Sequence, residues 1–249
     1  MKAKGILVLW IVLCFFYSLS GQTAEEYIAQ GDALFNEMKD MAAAKESEAL
    51  YHKAIGLMDN RYEAFWRLSR ILYYIGEHTE KKKDKKAIFA QGVYYAERAI
   101  ELEPEKPDGH YWHGVNNGKY GETRGVLKSL FLVKPIKKAM NKVIEIDRSY
   151  EEGGPDRVLG RVYFKLPGFA GGSKEKSLEH LLKSKEYGPD DAVTRLYLAE
   201  TYLELDEAGK AKEELDYVLN MEPDSRWTVA VEENQKVARE LLNHKKFRK

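Results

Sequence analysis

His110 and His113 stand three residues apart, a spacing that sets two imidazoles on one helical face and can ligate zinc. Asp108 is the nearest third ligand, but the chain has no His-Glu-x-x-His arrangement. Capping by Asp108 and packing by the two histidines therefore outweigh a metal site, and neither metal nor cofactor is expected. Gly118-Lys119 suggests a phosphate loop, yet Tyr120 stands where Ser or Thr is required and His113 replaces the first glycine. No Gly-x-Ser-x-Gly elbow occurs, and Glu151-Glu152 and Asp190-Asp191 sit where helices begin, serving the helix dipole. Cys14 is the single cysteine and lies near the N-terminus, so thiolate chemistry has no support. An enzyme is not expected. Recognition chemistry is better represented: Arg70, Arg157 and Arg161 recur beside aromatic residues, and a guanidinium pairs a carboxylate bidentately and stacks on rings.

These residues need elements to hold them, and the chain repeats. Segments ending at Asp59, Pro104, Arg148, Pro189 and Pro223 close on one cadence, at intervals of 45, 44, 41 and 34 residues. In the last unit Leu198, Ala199 and Tyr202 precede Ala211, Leu215, Val218 and Pro223, the residue series of a 34-residue tetratricopeptide (TPR) helix pair. The expected fold is all-α: a TPR-like solenoid of five units over 24–59, 60–104, 105–148, 149–189 and 190–223, closed by a capping helix over 225–245. Residues 21–249 form one domain on this reading. The longer early units place their extra residues in the turn between the paired helices, so enlarged turns project from one edge. Gly31, Gly114 and Gly160 occupy the slot of closest helix approach. Expected caps are Asn60 with Glu63, Asp108, Asp190, Ser173 and Asp224-Ser225, and Pro155 suits a first helical turn.

In such a solenoid the first helices line the inner groove. Counting from each unit's small residue places there Trp66, Arg70 and Tyr73, then Asp108, Tyr111 and Val115. The later units add Arg157, Arg161 and Phe164, then Leu196, Glu200 and Leu203. The groove so drawn suits an organic anion or a peptide carboxylate.

Lys2 and Lys4 followed by the apolar run 5–17 and small residues at Ser18 and Ser20 read as a signal peptide over 1–20, with cleavage between 20 and 24. The run is short for a membrane span. Without the leader 38 basic residues face 40 acidic ones, which does not favour nucleic acid. The lysine run at Lys81, Lys82, Lys83, Lys85 and Lys86 reads first as a solvated helix extension, and second as a contact for an anionic surface such as lipid headgroups.

The stretch Gly153-Gly154-Pro155-x-Arg157-x-Leu159-Gly160-x-x-Tyr163, the loop Pro167-Gly168-x-x-Gly171-Gly172 and Leu198-Ala199-Glu200-Thr201-Tyr202 carry a family resemblance. With Trp112-His113-Gly114 upstream, they resemble the TPR-containing T component of TRAP transporters. That resemblance implies an exported adaptor in solute uptake, periplasmic or otherwise secreted, paired with a periplasmic substrate-binding protein. Membrane contact is expected only if the leader stays as an anchor, and a homo-oligomer is compatible with the fold. Gln22 stands where a lipoprotein would carry its acylated cysteine. Alternatives are a general cell-envelope scaffold or a small-molecule or metal binder. A related pattern occurs in the regulator-of-microtubule-dynamics family, against which the leader speaks.

Overall fold

The computed structural model describes residues 22–247 apart from 39, 58–60 and 223–227. The expectations on the leader, Asn60, Pro223 and Asp224-Ser225 lie outside the described residues. The rest is a run of antiparallel helix pairs. Unit one is α1 (Ala24–Asn36) and α2 (Met41–Ile55); unit two is α3 (Tyr62–Glu77) and α4 (Lys82–Leu102). Unit three is α5 (Pro107–Arg124) and α6 (Val133–Asp147), unit four α7 (Tyr150–Lys165) and α8 (Lys174–Tyr187). Unit five is α9 (Ala192–Glu204) and α10 (Ala208–Leu219), and α11 (Thr228–Leu242) follows. No strand occurs among the described residues, so the all-α solenoid stands.

Local chemistry explains the starts. Thr23 and Glu26 form a reciprocal capping box on α1, Asp40 caps α2, and Ser173 caps α8 through Lys176 N. Two expected caps are corrected, those at Asp190 and Asp108. Arg61 precedes α3 and makes no side-chain cap, and Glu63 accepts from Trp66 and Arg67. Asp191, one residue past Asp190, caps α9 through Thr194 N at 2.7 Å. Asp108 lies inside the first turn of α5 and accepts from the Tyr62 and Tyr150 hydroxyls, so it ties three helices together rather than capping one.

Packing follows the small-residue slots. A Cβ on Gly31 would stand 2.6 Å from the Tyr51 ring, one on Gly114 2.4 Å from Met140 Cε, and one on Gly160 2.6 Å from Leu181 Cγ. Paired helices therefore touch where the sequence supplies glycine. Leu68, Ile71, Met140, Leu181, Leu198 and Leu215 are fully enclosed between pairs, each contributing about 1.5–3 kcal/mol by leaving water. The capping helix buries Val231 and Ala238 and rests Leu241 and Leu242 on the same core, whereas Val237 faces solvent.

The extra residues of the early units are placed differently from expectation. In unit two the turn is only 78–81, and the surplus lengthens α4 to 21 residues. Lys82 to Lys86 are good helix formers, so helix extension costs less than an ordered loop. Units three and four do carry enlarged turns, 125–132 and 166–173, each containing a short 3₁₀ segment.

The junction of units three and four is unusual. Glu151, Glu152 and Gly153 take left-handed backbone angles (φ 50°, 57° and 75°), and the regular part of α7 begins around Gly154-Pro155. Two non-glycine residues in that region cost about 1–2 kcal/mol each. Neighbours hold the turn: Arg157 donates to Glu151 O, and Asp156, fully enclosed at the start of the helix, accepts from Arg148 at 2.7 and 3.1 Å and from His180 Nδ1 at 2.7 Å.

Candidate functional site: a cleft on the inner face

The first helices of units two to five enclose a cleft of about 610 Å³. α3 supplies Tyr73, α5 a face from Tyr111 to Gly125, α7 the row Arg157, Val158, Arg161, Val162 and Lys165, and α9 Val193 and Tyr197. Leu132, Val133 and Ile136 close the back. Much of the α5 face is glycine: Gly114, Gly118, Gly121 and Gly125 recur at three- and four-residue steps. At Gly118 a Cβ would meet no atom within 4 Å, so the missing side chain leaves space in the cleft.

The charges in the cleft are arranged in linked pairs. Arg157 donates to Asp191 at 2.9 Å and to the Tyr111 hydroxyl at 3.1 Å. Burial disfavours its charge, but Tyr111 and Asp191 outweigh burial and hold the guanidinium more firmly protonated than usual. Burial pushes Tyr111 up to about 12, against the opposing pull of Arg157. Lys119 pairs with Glu77 and stands 3.5 Å from Glu122. Burial opposes its charge, while Tyr73 and those carboxylates raise its affinity for the proton. Arg161 pairs with Glu200 and lies over the Tyr197 ring, its carbon 4.2 Å from the centroid.

Four groups are less satisfied. Arg161 Nε and Trp112 Nε1 are buried without a hydrogen-bond partner. Burial, then the charge of Arg161, lowers the proton affinity of Lys165, which projects from the last turn of α7. Burial raises that of Glu151 at the left-handed junction, opposed by Arg157 and Arg70. A cleft with apolar walls and basic groups at Arg157, Arg161 and Lys165 can bind an apolar body bearing an acidic or carbonyl group.

Of the residues expected in the groove, Tyr73, Tyr111, Val115, Arg157 and Arg161 line this cleft. The others do not. Arg70 bonds Asp32 of unit one at 2.9 Å and stacks on Phe35 and Trp66, and Trp66 itself packs in the core shared by units two to four. Asp108 is engaged by its two tyrosines. Phe164 packs beneath Lys174, whose Nζ is 3.5 Å from the ring centroid. Leu196 and Leu203 are buried in the C-terminal core, and Glu200 reaches the cleft only through Arg161. The error in unit five is one of register: Val193 and Tyr197, four apart, face the cleft where Leu196 and Glu200 were expected. Lys119, Trp112 and Lys165 went unrecognised, although the glycine spacing of α5 marks the bare face beside them.

The two histidines diverge. His110 Nε2 contacts Pro104 O at 2.8 Å, whereas His113 Nε2 accepts from Asn117 and lies 3.6 Å from Glu97. Among the described residues no group of three His, Cys, Asp or Glu side chains is placed to hold a metal.

Fold and repeat pattern together define a TPR-type helical-repeat protein. The chain belongs to the regulator of microtubule dynamics family: residues 27–153 match the family model described as Regulator of microtubule dynamics protein 1-3. It is 25% identical over 173 residues to regulator of microtubule dynamics protein 3 of Rattus norvegicus, covering 63% of this chain and 36% of that protein. With protein 1 of Mus musculus the identity is 25% over 199 residues, 73% of this chain and 62% of that one. The chain thus spans between about a third and under two thirds of these relatives. Among solved structures, a thermophilic TPR protein of Thermus thermophilus superposes with a TM-score of 0.66 at 14% identity, covering 87% of this chain and 98% of that one. MamA from residue 41 of Desulfovibrio magneticus RS-1 gives 0.51 at 14% identity, covering 86% and 98%. At such identity these two speak for the fold alone.

The family assignment corrects the expected one. Residues 27–153 match the family against which the leader had been weighed, and the TRAP T-component resemblance gains no support. Its main motif, 153–163, starts where the family match stops, and small-large helix-pair patterns are common to TPR units of any family.

Proposed function

We infer that this protein is a scaffold that binds a partner protein in the cleft between α5, α7 and α9. The observation that carries the reading is a cleft that Gly118 leaves open and whose apolar walls carry Arg157, Arg161 and Lys165. A partner segment with an apolar residue and an acidic group fits those walls and their basic groups. The relatives are named for microtubule dynamics, which makes polymerised tubulin the first partner to test. Wild-type chain should co-sediment with microtubules, and Gly118→Phe, whose Cβ meets no atom within 4 Å and whose ring occupies the cleft, should lower binding about ten-fold at unchanged melting temperature. Wild type remaining in the supernatant would remove microtubules as the partner; equal pelleting of both would remove the cleft.

The export reading rests on residues 1–20, and with it the role of a solute-uptake adaptor. Cell fractionation tests the location. Native co-isolation with an extracytoplasmic substrate-binding protein tests the role, and its failure would end that reading.

A further inference from the structure

The turns within units two, three and four lie on one edge of the solenoid, because each joins a first helix to its antiparallel second helix. Contacts trace this edge continuously. Lys86 Nζ lies over the Tyr120 ring (5.8 Å), Tyr120 and Phe131 both face Arg124, and the 125–132 turn shares the cleft rim with Lys165 and Leu166. Residues 77–86 carry five lysines against Glu77, Glu80 and Asp84. Residues 122–134 carry Arg124, Lys128 and Lys134 against Glu122, and residues 165–176 carry Lys165, Lys174 and Lys176 against Glu175. Each segment is thus basic by two, in a chain with no net charge.

The same edge holds the most exposed large apolar side chains described: Phe169 is 81% accessible, Leu127 69% and Phe131 60%, with Val126 beside them. They stand on the two enlarged turns, among lysines. The opposite edge is acidic. Residues 101–106 carry Glu101, Glu103 and Glu105 against Lys106, and residues 145–152 carry four carboxylates against Arg148. Residues 186–191 carry Glu186, Asp190 and Asp191 with no basic residue.

We propose that the edge formed by residues 81–86, 124–134 and 165–176 docks on a lipid bilayer bearing anionic headgroups. Lysine supplies attraction to the negative surface, and apolar tips enter the headgroup boundary; neither signal holds alone, and together they do. The apolar tips decide against an acidic polypeptide. Such a partner is satisfied by lysines and would need matching pockets for side chains spread over two turns, whereas a bilayer receives them wherever they fall. The acidic opposite edge orients the solenoid by repulsion from the same surface. This surface borders the cleft at residues 125–133, Lys165 and Leu166, whereas Lys82, Lys83, Lys128, Glu145 and Phe169, which carry its test, lie outside the cleft lining.

A cysteine at Phe169, in a Cys14→Ser background and labelled with an environment-sensitive fluorophore, reads this edge; a label at Glu145→Cys reads the other. The comparisons between the two labels, and between vesicles with and without phosphatidylserine, separate docking of this edge from attachment through residues 1–20. With vesicles of phosphatidylcholine containing a third phosphatidylserine, the Phe169 label should shift to the blue and the Glu145 label should not. Pure phosphatidylcholine vesicles should give no shift. Combined Lys82→Glu, Lys83→Glu and Lys128→Glu should weaken the response about a hundred-fold. No shift at Phe169, equal shifts on both edges, or an equal shift with pure phosphatidylcholine overturns the proposal. An equal response to soluble polyglutamate also overturns it, in favour of an acidic polypeptide partner.

Discussion

The two edges of this solenoid use charge in opposite ways. Towards the acidic edge three aspartates are consumed internally, Asp108 by Tyr62 and Tyr150, Asp156 by Arg148 and His180, Asp191 by Arg157 and Thr194, while Glu101, Glu105 and Glu145 stand in solvent. On the basic edge the lysines at 81–83 stand in solvent, and Lys85 reaches Glu77 only at 3.9 Å. A charge held by buried partners is a structural clasp, costly to remove. One left facing water is available for something outside the molecule. The contrast separates residues that build the fold from residues that fold-building does not explain.

The sharpest way to break the comparison is at the acidic edge. Asp156→Ala strips the fully enclosed carboxylate from Arg148 and His180 and should cost about 3–5 kcal/mol in denaturant unfolding. A loss near that of a surface mutation would mean the edges do not differ. Next comes Gly153→Ala. Its Cβ would stand 2.7 Å from Ser184 O at φ 75°, so backbone must move, and a loss of about 2–3 kcal/mol is expected; an unchanged melting temperature would show the left-handed junction to be dispensable.

The third prediction concerns His113, on α5 between the edges. Burial, with the charge of His110, lowers its pKa to about 4, below the unfolded value of about 6.5. Unfolding therefore takes up a proton in the window between these values. Stability should be full above pH 6.5 and fall as pH drops towards 4, by about 3 kcal/mol from this residue. His113→Gln should flatten that part of the stability–pH curve; an unchanged slope would assign it elsewhere. Smallest of all, Lys82→Glu with Lys83→Glu should leave stability within about 0.5 kcal/mol. A larger loss would show that the basic edge also supports the fold.

The repeat cadence was legible because helix pairs demand small residues where they touch, and Gly31, Gly114 and Gly160 meet Tyr51, Met140 and Leu181 as that rule requires. The cleft was legible only in part. Arg157 and Arg161 were identifiable because their helix has clear ends. Leu196 was misplaced because α9 is buried on most of its circumference, so its apolar pattern does not distinguish core from cleft. Cap positions slipped by a residue at Asp190 because two adjacent aspartates compete for one site, and three-dimensional contact with Arg157 selects Asp191. The lengthened α4 was legible in its lysine run, which reads as a solvated helix extension, but not in the repeat spacing, which put the unit's surplus in the turn.

The left-handed turn at Glu151–Gly153 bears on how the array comes apart. In an ideal repeat array each unit contributes its own stability plus a term for each neighbour, and unfolding frays inward from either end. Here Gly153 lies against Ser184 of α8, and Arg157 joins the junction to Asp191 at the start of α9. The unfavourable backbone of the third unit's exit is thus compensated only when the fourth pair and the start of the fifth are in place. Units three to five should exchange their amide hydrogens as one cooperative block, with units one and two free to open separately.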